Sequence, residues 1–450
     1  MALFEQIDSA GLTDVGIRRS HNQDAFSIRE AVDRDHWLRE GHVFLVADGM
    51  GGHAVGEKAS AKAVREIPLI YAKHIHDGPM SALRRAFQET NAGIHSVGQE
   101  NPEFRGLGTT ATALVLREEG AWVAHVGDSR VYRVRDGQIE QLSFDHSYAW
   151  EMARRLNIPP EELPDVKKNV IIRSLGPDPL VQVDIEGPYP LASGDVFILC
   201  SDGLSNLVNP EEVGTAATAL PPTEAVRFLT ELANLRGGPD NISVIIVRVG
   251  LGEPSVVVGP EKGSALVRAA RRLVRAWNRR VPWPISVLLL GFLFAGGFVV
   301  TTIADLRGGA FLFLLALTCV SIGTAGLVQH ARREKIAEAK GPDRPKRLNV
   351  YRDYDCRIQR VLVEKFQKMA GHLKEHMDEG EWEVNWTHYK ELRDTADRSL
   401  NDGDLLNAYR EHCRALLTLA QPYNRSRQKD EGFRPKFDDH DHELRQPEGA

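Results

Sequence analysis

Cysteine is scarce in this chain: four occur in 450 residues, Cys200, Cys319, Cys356 and Cys413. Their spacing matches neither a zinc site nor a disulfide framework, so no covalent or zinc-based staple is expected. The first twenty residues lack an apolar core and carry acids early, so no cleaved secretory leader is expected. A dominant charge of one sign is missing too. A formal net charge of −6 excludes a nucleic-acid binder that relies on overall basicity. What is present, 42% hydrophobic and 26% charged residues, is ordinary for globular protein. The length gives a prior of roughly two to four structural units, each able to bury a core.

Within residues 4–249 the apolar runs are short and punctuated by Gly and Asp: VFLVADG, GTTATALVL, WVAHVGDSRVYRV, VFILCSDG and ISVIIVRV. Runs this apolar read as buried strands. VYRVRDGQIEQLS reads as a hairpin, with Asp136-Gly137 in the tight turn. Helical patterns fall at 57–70, 80–98, 147–156 and 223–234. Strands joined by hairpins and interrupted by helices predict an α+β fold, not a parallel barrel.

The composition changes after Val249. Residues 250–264 read as a linker, and 265–281 as a basic amphipathic helix with Leu266, Ala269, Leu273 and Trp277 on one face. Two uncharged apolar stretches follow, 285–303 and 310–328. Each approaches the ~20 residues that cross ~30 Å of hydrocarbon. Arg275, Arg279 and Arg280 precede the first stretch; His330, Arg332, Arg333 and Lys335 follow the second. The positive-inside rule then predicts a two-pass hairpin in the cell (inner) membrane with both long flanks cytoplasmic. The basic helix fits either a topology-fixing charge or contact with anionic lipid of the bilayer. In 347–424, Val350, Tyr354, Ile358, Leu362, Phe366, Met369 and Leu373 lie three or four apart, a stripe for one long helix. Two more helices are expected at 389–399 and 405–419. This small α-helical C-terminal domain is expected to have little structural duty toward residues 4–249, either as a plain bundle or as a docking or dimerisation module. The tail, 425–450, is expected to be disordered.

Aspartates end or interrupt several of the apolar runs: Asp24, Asp48, Asp128, Asp202 and Asp240. An Asp-Gly pair is ordinarily a turn, and at Asp136-Gly137 that reading suffices. Asp48 and Asp202 instead close long apolar strands, where a carboxylate is costly unless it is paired or metal-bound. Carboxylates converging in one cleft repel each other, and hard divalent cations resolve that repulsion. Oxygen-only ligation favours Mg²⁺ or Mn²⁺ over zinc.

The order R-x-x-N-Q-D, D-G-M-G-G-H, G-T-T-A-T, G-D-S-R, S-D-G-L and G-G-P-D-N-I-S resembles the metal-dependent PPM/PP2C Ser/Thr protein phosphatases of bacteria over residues 7–249. The resemblance implies an antiparallel β-sandwich flanked by helices. It implies that Asp48 bridges two ions, with the Gly49 carbonyl on the second, and that Asp202 and Asp240 hold the first. Asp24 acts through water, and Asp128 joins Asp202 at a third site. Arg19 matches the phosphate-binding arginine, with Arg18 as the register alternative, and Asn241 orients Asp240. Arg19, Asp48, Asp202 and Asp240 are thus the expected catalytic set, around two ions or three.

The implied reaction is attack on phosphorus by water made acidic by two cations, with Arg19 and the ions absorbing equatorial charge. Gln23 stands where animal members carry Glu, as is common in bacteria. Met50 follows the Asp48-Gly49 pair, and His53 reads as a loop-packing residue, so the group that protonates the leaving alkoxide is open. Residues 145–176 resemble the family's variable flap. No cysteine has an arginine six positions on, and neither GDxHG nor GNHE occurs, which excludes the cysteine-based and other metallophosphatase classes. The implied partners are phosphorylated proteins and a cognate Ser/Thr kinase, with no nucleic acid. The alternative from another class is a catalytically silent, membrane-tethered sensor or scaffold.

Overall fold

The apolar runs form strands buried on both sides, which is why they are continuous and do not alternate with polar residues. The computed structural model describes residues 7–51, 56–100, 102–104, 106–156, 158–163, 170–250, 257–259, 283–303, 309–338, 350–377 and 382–430. The chain opens with β1 (Ile7–Asp14), β2 (Asp24–Arg29), α1 (Arg34–Arg39), β3 (His42–Met50), α2 (Gly56–His74) and α3 (Pro79–Glu100). Next come β4 (Gly108–Thr109), β5 (Ala111–Arg117), β6 (Gly120–Val126), β7 (Arg130–Arg135), β8 (Gln138–Gln141) and α4 (Tyr148–Leu156). Then follow β9 (Asp184–Tyr189), β10 (Val196–Cys200), α5 (Asp202–Ser205), α6 (Pro210–Ala219), α7 (Pro222–Leu235) and β11 (Ile242–Val249). The remainder is α8 (Trp283–Ile303), α9 (Gly309–Glu338), β12 (Arg352–Asp355), α10 (Arg360–Met377), α11 (Trp386–Asn401) and α12 (Leu405–Asp430).

Two antiparallel sheets result, ordered β1-β11-β10-β7-β8-β12 and β2-β3-β5-β6-β9, with β4 on β3. Phe44, Val46 and Leu114 of one sheet meet Phe197, Leu199 and Ile245 of the other in the sandwich interior. The opposite faces are covered by helices: Leu45, Ala113 and Val115 pack against α2 and α3, while Ile198, Val244 and Ile246 pack against α6 and α7. The α+β reading therefore holds for this part of the chain. The predicted hairpin is present too: Asp136 and Gly137 take φ of 52° and 71°, the pair of positive values that a two-residue turn between twisted strands requires.

The C-terminal segment differs from the expectation in two ways. Residues 350–358 do not extend the helical stripe; Arg352–Asp355 pair with β8, setting Arg352 opposite Gln141 and Tyr354 opposite Ile139. The edge of β8 would otherwise offer unpaired backbone groups, and strand pairing satisfies them where a helix could not. Nor is the segment separate from the rest. Val363, Phe366 and Ala370 of α10 and Tyr409, Cys413 and Leu416 of α12 share one buried cluster with α6, α7 and β10. Phe366 sits edge-on between Phe228 (5.3 Å) and Tyr409 (5.7 Å). Residues 347–450 accordingly belong to the same compact unit as residues 1–259. Helix α12 also runs to Asp430, beyond the Asn424 limit expected from the sequence.

Residues 260–346 form the second unit. Within it α8 and α9 pack on each other: the Phe298 and Phe313 rings meet at a tilt with centroids 5.2 Å apart, and a Cβ on Gly291 would lie 3.2 Å from Cys319 Cβ. Ile285–Thr302, with mean hydropathy 2.2, is the one helix among the described residues long and apolar enough to cross a membrane; the apolar part of α9, Ala310–Thr324, is shorter. Phe292, Leu293, Phe311 and Leu314 are exposed on the two helices. The expected basic helix at 265–281 lies outside the described residues, as does most of the 250–264 linker.

Candidate metal centre

The site is assembled where strands of both sheets end. Asp24 and Asp48 stand opposite each other across β2 and β3. The Asp48 backbone is locked on both sides: its N–H donates to Thr110 Oγ1 (2.9 Å), and its carbonyl accepts from Thr110 N–H (2.8 Å) and Thr109 Oγ1 (2.9 Å). Gly49 is pressed so closely on Gly56 that a Cβ would fall 2.2 Å from the Gly56 carbonyl oxygen. Asp128 follows Gly127, whose φ of 117° few other residues adopt. Gly127 N–H donates to His146 Nδ1 (3.0 Å), and the hydroxyls of Ser129 and Thr110 bond at 2.8 Å. Thr110 thereby joins the turns that carry Asp48 and Asp128.

The other sheet supplies Asp202 and Asp240. Asp202 follows β10, and Asn206 one turn later donates to its Oδ2 (3.1 Å). Ser201 Oγ donates to Asp24 Oδ2 (2.7 Å) and accepts from Ser243 N–H (2.9 Å), tying the two sheets together at the site. Arg19 Nη2 lies 2.9 Å from Asp240 Oδ2. Arg18 contributes only a backbone N–H, to Gly238 O (3.3 Å), so of the two register alternatives Arg19 is the one whose guanidinium is found on the cluster. Asn241 accepts from Gln23 N–H (2.8 Å) and donates to Val15 O (2.9 Å) and His21 O (3.0 Å). It fastens the Arg19 loop to the strand that begins beside Asp240.

Burial raises the carboxyls of Asp48, Asp24, Asp128 and Asp202, and their mutual repulsion adds to it. Three of their oxygens, Oδ1 of Asp24, Asp128 and Asp202, are buried without a hydrogen-bond partner. Buried acceptors are ordinarily satisfied. An all-oxygen, negatively charged donor set with open lone pairs suits hard divalent cations, so these residues fit the metal that the sequence implied. Cys200, nearby on β10, is buried and its thiol is pushed up to about 12, which leaves it inert as a nucleophile.

Ser201, Thr110 and Asn206 were not singled out in the sequence. Ser201 and Asn206 flank Asp202 at one and four residues, a signal that a reading of the local turn could have used. The first residue of the flap-like stretch, Asp145, is buried against Arg130 (2.9 and 2.7 Å) and belongs to the framework. Met50 lies at the end of β3, whereas His53 and residues 164–169 lie outside the described residues.

The protein phosphatase 2C family model matches residues 17–236. The protein phosphatase PhpP of Streptococcus pneumoniae is 35% identical over 244 residues, 52% of this chain and 95% of that protein. The serine/threonine phosphatase stp of Listeria monocytogenes serovar 1/2a is 35% identical over 247 residues, 52% of this chain and 93% of its own length. The catalytic domain of the serine/threonine protein phosphatase PstP, solved in complex with two manganese ions, is 29% identical. It covers 54% of this chain and 99% of the solved chain, with a TM-score of 0.45.

Proposed function

Because this chain belongs to the protein phosphatase 2C family, we propose that it is a metal-dependent protein serine/threonine phosphatase, membrane-anchored and acting on cytoplasmic phosphoproteins against a bacterial Ser/Thr kinase. The observation that carries the catalytic part is the convergence of Asp24, Asp48, Asp128 and Asp202 with three unpartnered, buried carboxylate oxygens. Asp48, the Gly49 carbonyl, Asp202 and Asp240 would hold two Mn²⁺ or Mg²⁺ ions, with Asp24 acting through water and Asp128 serving a third site. Bound there, such ions supply an acidified water at neutral pH and charge that offsets the phosphate.

The chain's own residues do the rest. Arg19, half-exposed beside Asp240, is placed to turn its guanidinium onto the equatorial oxygens of an incoming phosphoryl group. Asn241 keeps the Arg19 loop in register. Ser201 engages Oδ2 of Asp24, leaving the buried Oδ1 without a hydrogen-bond partner. The buried, protonated Cys200 supports a route without a covalent thiol step.

The anchor reading draws on the phosphatase-bearing unit as well as on the apolar helices. Gly259 N–H donates to Ile358 O (2.9 Å) and Ile358 N–H to Val257 O (3.1 Å), so the chain leaves and re-enters the same body. A single crossing would put these partners on opposite sides of the bilayer. An even number of crossings, α8 followed by α9, would be compatible with the bond, and the flanking arginines support a cytoplasmic body. The test is phosphate release by the full chain in detergent from phosphothreonine and phosphoserine peptides with Mn²⁺. Release that stops with a chelator and persists after thiol alkylation supports the reading; absence of release at any Mn²⁺ concentration defeats it.

A further inference from the structure

The turn that presents Asp128 is gripped by a buried histidine at the start of the flap-like stretch. Both peptide groups of Gly127, the residue before Asp128, engage His146. The Gly127 N–H donates to the ring at Nδ1 (3.0 Å), and the Gly127 carbonyl accepts from the His146 N–H (2.7 Å). The His146 carbonyl in turn accepts from Ile172 N–H (2.8 Å), on the limb by which the flap-like stretch returns. Oδ1 of Asp128 is buried with no hydrogen bond to aim it. Where that oxygen points therefore depends on the peptide that His146 holds.

The far nitrogen of the ring completes the link. Nε2 lies 3.0 Å from Asp184 Oδ2 at the start of β9. Arg173 Nη1, also on the returning limb, is 2.9 Å from Nε2 and donates to Asp184 Oδ1 (3.0 Å). Because Nδ1 accepts from an N–H, the ring proton sits on Nε2, and Asp184 gathers both donors. The other tautomer would set Nδ1–H against the Gly127 N–H and leave two buried donors unpaired, which is costly. His125 lies under the ring with centroids 4.8 Å apart, and its own Nδ1 is 2.8 Å from Thr112 Oγ1. The His146 ring is thus held in plane, in tautomer and at both nitrogens. An apolar ring would fill the same space and leave the Gly127 N–H without an acceptor.

We propose that His146 is a positioning residue for the cation site at Asp128, acting through the Gly127 peptide and taking its own orientation from Asp184. This inference rests on the metal-dependent reading above, and it joins that site to the returning limb of the flap-like stretch.

The test is calorimetric titration of Mn²⁺ into the full chain in detergent, comparing wild type, Asp128→Asn, His146→Asn and His146→Gln. Asp128→Asn identifies the part of the binding that depends on Asp128. An Asn oxygen reaches the place of Nδ1, whereas a Gln amide reaches the place of Nε2 and leaves the Gly127 N–H unpaired. His146→Gln should therefore weaken the Asp128-dependent binding by roughly tenfold or more, the range for a residue that orients a metal ligand from outside. It should leave the remaining binding unchanged, and His146→Asn should retain most of the affinity that Gln loses. If the ring only fills space, Asn and Gln act alike, and the proposal is overturned. Asp184→Ala tests the same link at a partly exposed position, without requiring either histidine variant to fold. Loss of the acceptor that holds the Nε2 proton should weaken the same binding several-fold, and an unchanged affinity there also overturns the proposal. Mn²⁺ binding that Asp128→Asn does not alter overturns it while sparing the phosphatase reading; no Mn²⁺ binding by wild type removes both.

Discussion

In the carboxylate cleft Asp24, Asp48, Asp128 and Asp202 bury charges of one sign, whereas at the seam between the C-terminal segment and α6 a single buried acid is surrounded by cations. Glu212 accepts from Arg236 at 2.7 and 2.8 Å and from Lys365 of α10 at 2.6 Å. Burial alone would raise Glu212, but these bonds overcome it and hold its carboxyl below the ordinary value. In the cleft nothing overcomes burial, and the carboxyls are pushed up. The seam is a structural solution, in which each charge lowers the cost of the other. The cleft is unstable by itself, and cations bound at the proposed site would relieve its crowded carboxylates.

The largest effect expected from breaking this contrast is catalytic. Asp48→Ala should reduce Mn²⁺-dependent turnover of p-nitrophenyl phosphate by about a thousandfold or more, because the central carboxylate is lost. Its melting temperature without metal should not fall, since removing one of several repelling carboxylates relieves the others. A variant that loses stability and keeps turnover would reverse the roles assigned to the two regions.

Phe366→Ala should come next, costing about 3–5 kcal/mol, as expected for an aromatic ring lost from a full core. Because Phe366 shares its cluster with Phe228 of α7, thermal loss of phosphatase activity should move down together with the helical melt. Two separate transitions in calorimetry would show that the C-terminal segment is a body of its own. At the seam, Glu212→Ala should cost about 3 kcal/mol, since it strands Arg236. Lys365→Ala, whose side chain is 46% exposed, should cost no more than about 1 kcal/mol. Equal losses in a denaturant titration of the two variants would contradict the buried-versus-exposed distinction.

A smaller, graded effect comes from pH. Burial lowers His125 to about 3 and His42 to about 4, from an ordinary value of 6.5. Both are neutral in the folded chain at neutral pH, so their contribution is complete above about pH 6.5 and is lost as pH falls toward 4 and then 3. Each should remove up to about 1.4 kcal/mol per pH unit within its own window. His125→Gln should flatten the acid limb of a stability–pH curve, and an unchanged slope would show that the imidazole is not the titrating group.

The sandwich was legible because its strands are buried on both faces, a demand that only long apolar runs such as VFLVADG and VFILCSDG meet. The aspartates were legible for the opposite reason: a carboxylate at the end of such a run has no ordinary structural role. Strand β12 was not legible. Its residues, RDYD, carry little apolar signal, and what makes them a strand is the open edge of β8, far away in sequence. The helical stripe from Val350 misled for the same cause, since Tyr354 and Ile358 fit helical spacing equally well until a pairing partner competes. The place of Arg352 in the cleft beside Asp128 and Asp202 depends on that pairing and could not be read without it. Thr110 escaped notice because its hydroxyl's partners, Asp48 N–H and Ser129 Oγ, are far away in sequence and leave no trace in local spacing.

The most direct measurement is calorimetric titration of Mn²⁺ into the full chain at pH 7, in two buffers of different ionisation enthalpy. Carboxyls pushed up by burial hold protons that cations must displace, so saturable binding with net proton release is predicted, and Asp48→Asn should diminish both. Binding with no dependence on buffer, or no saturable heat at all, would contradict an account built on crowded carboxylates waiting for positive charge.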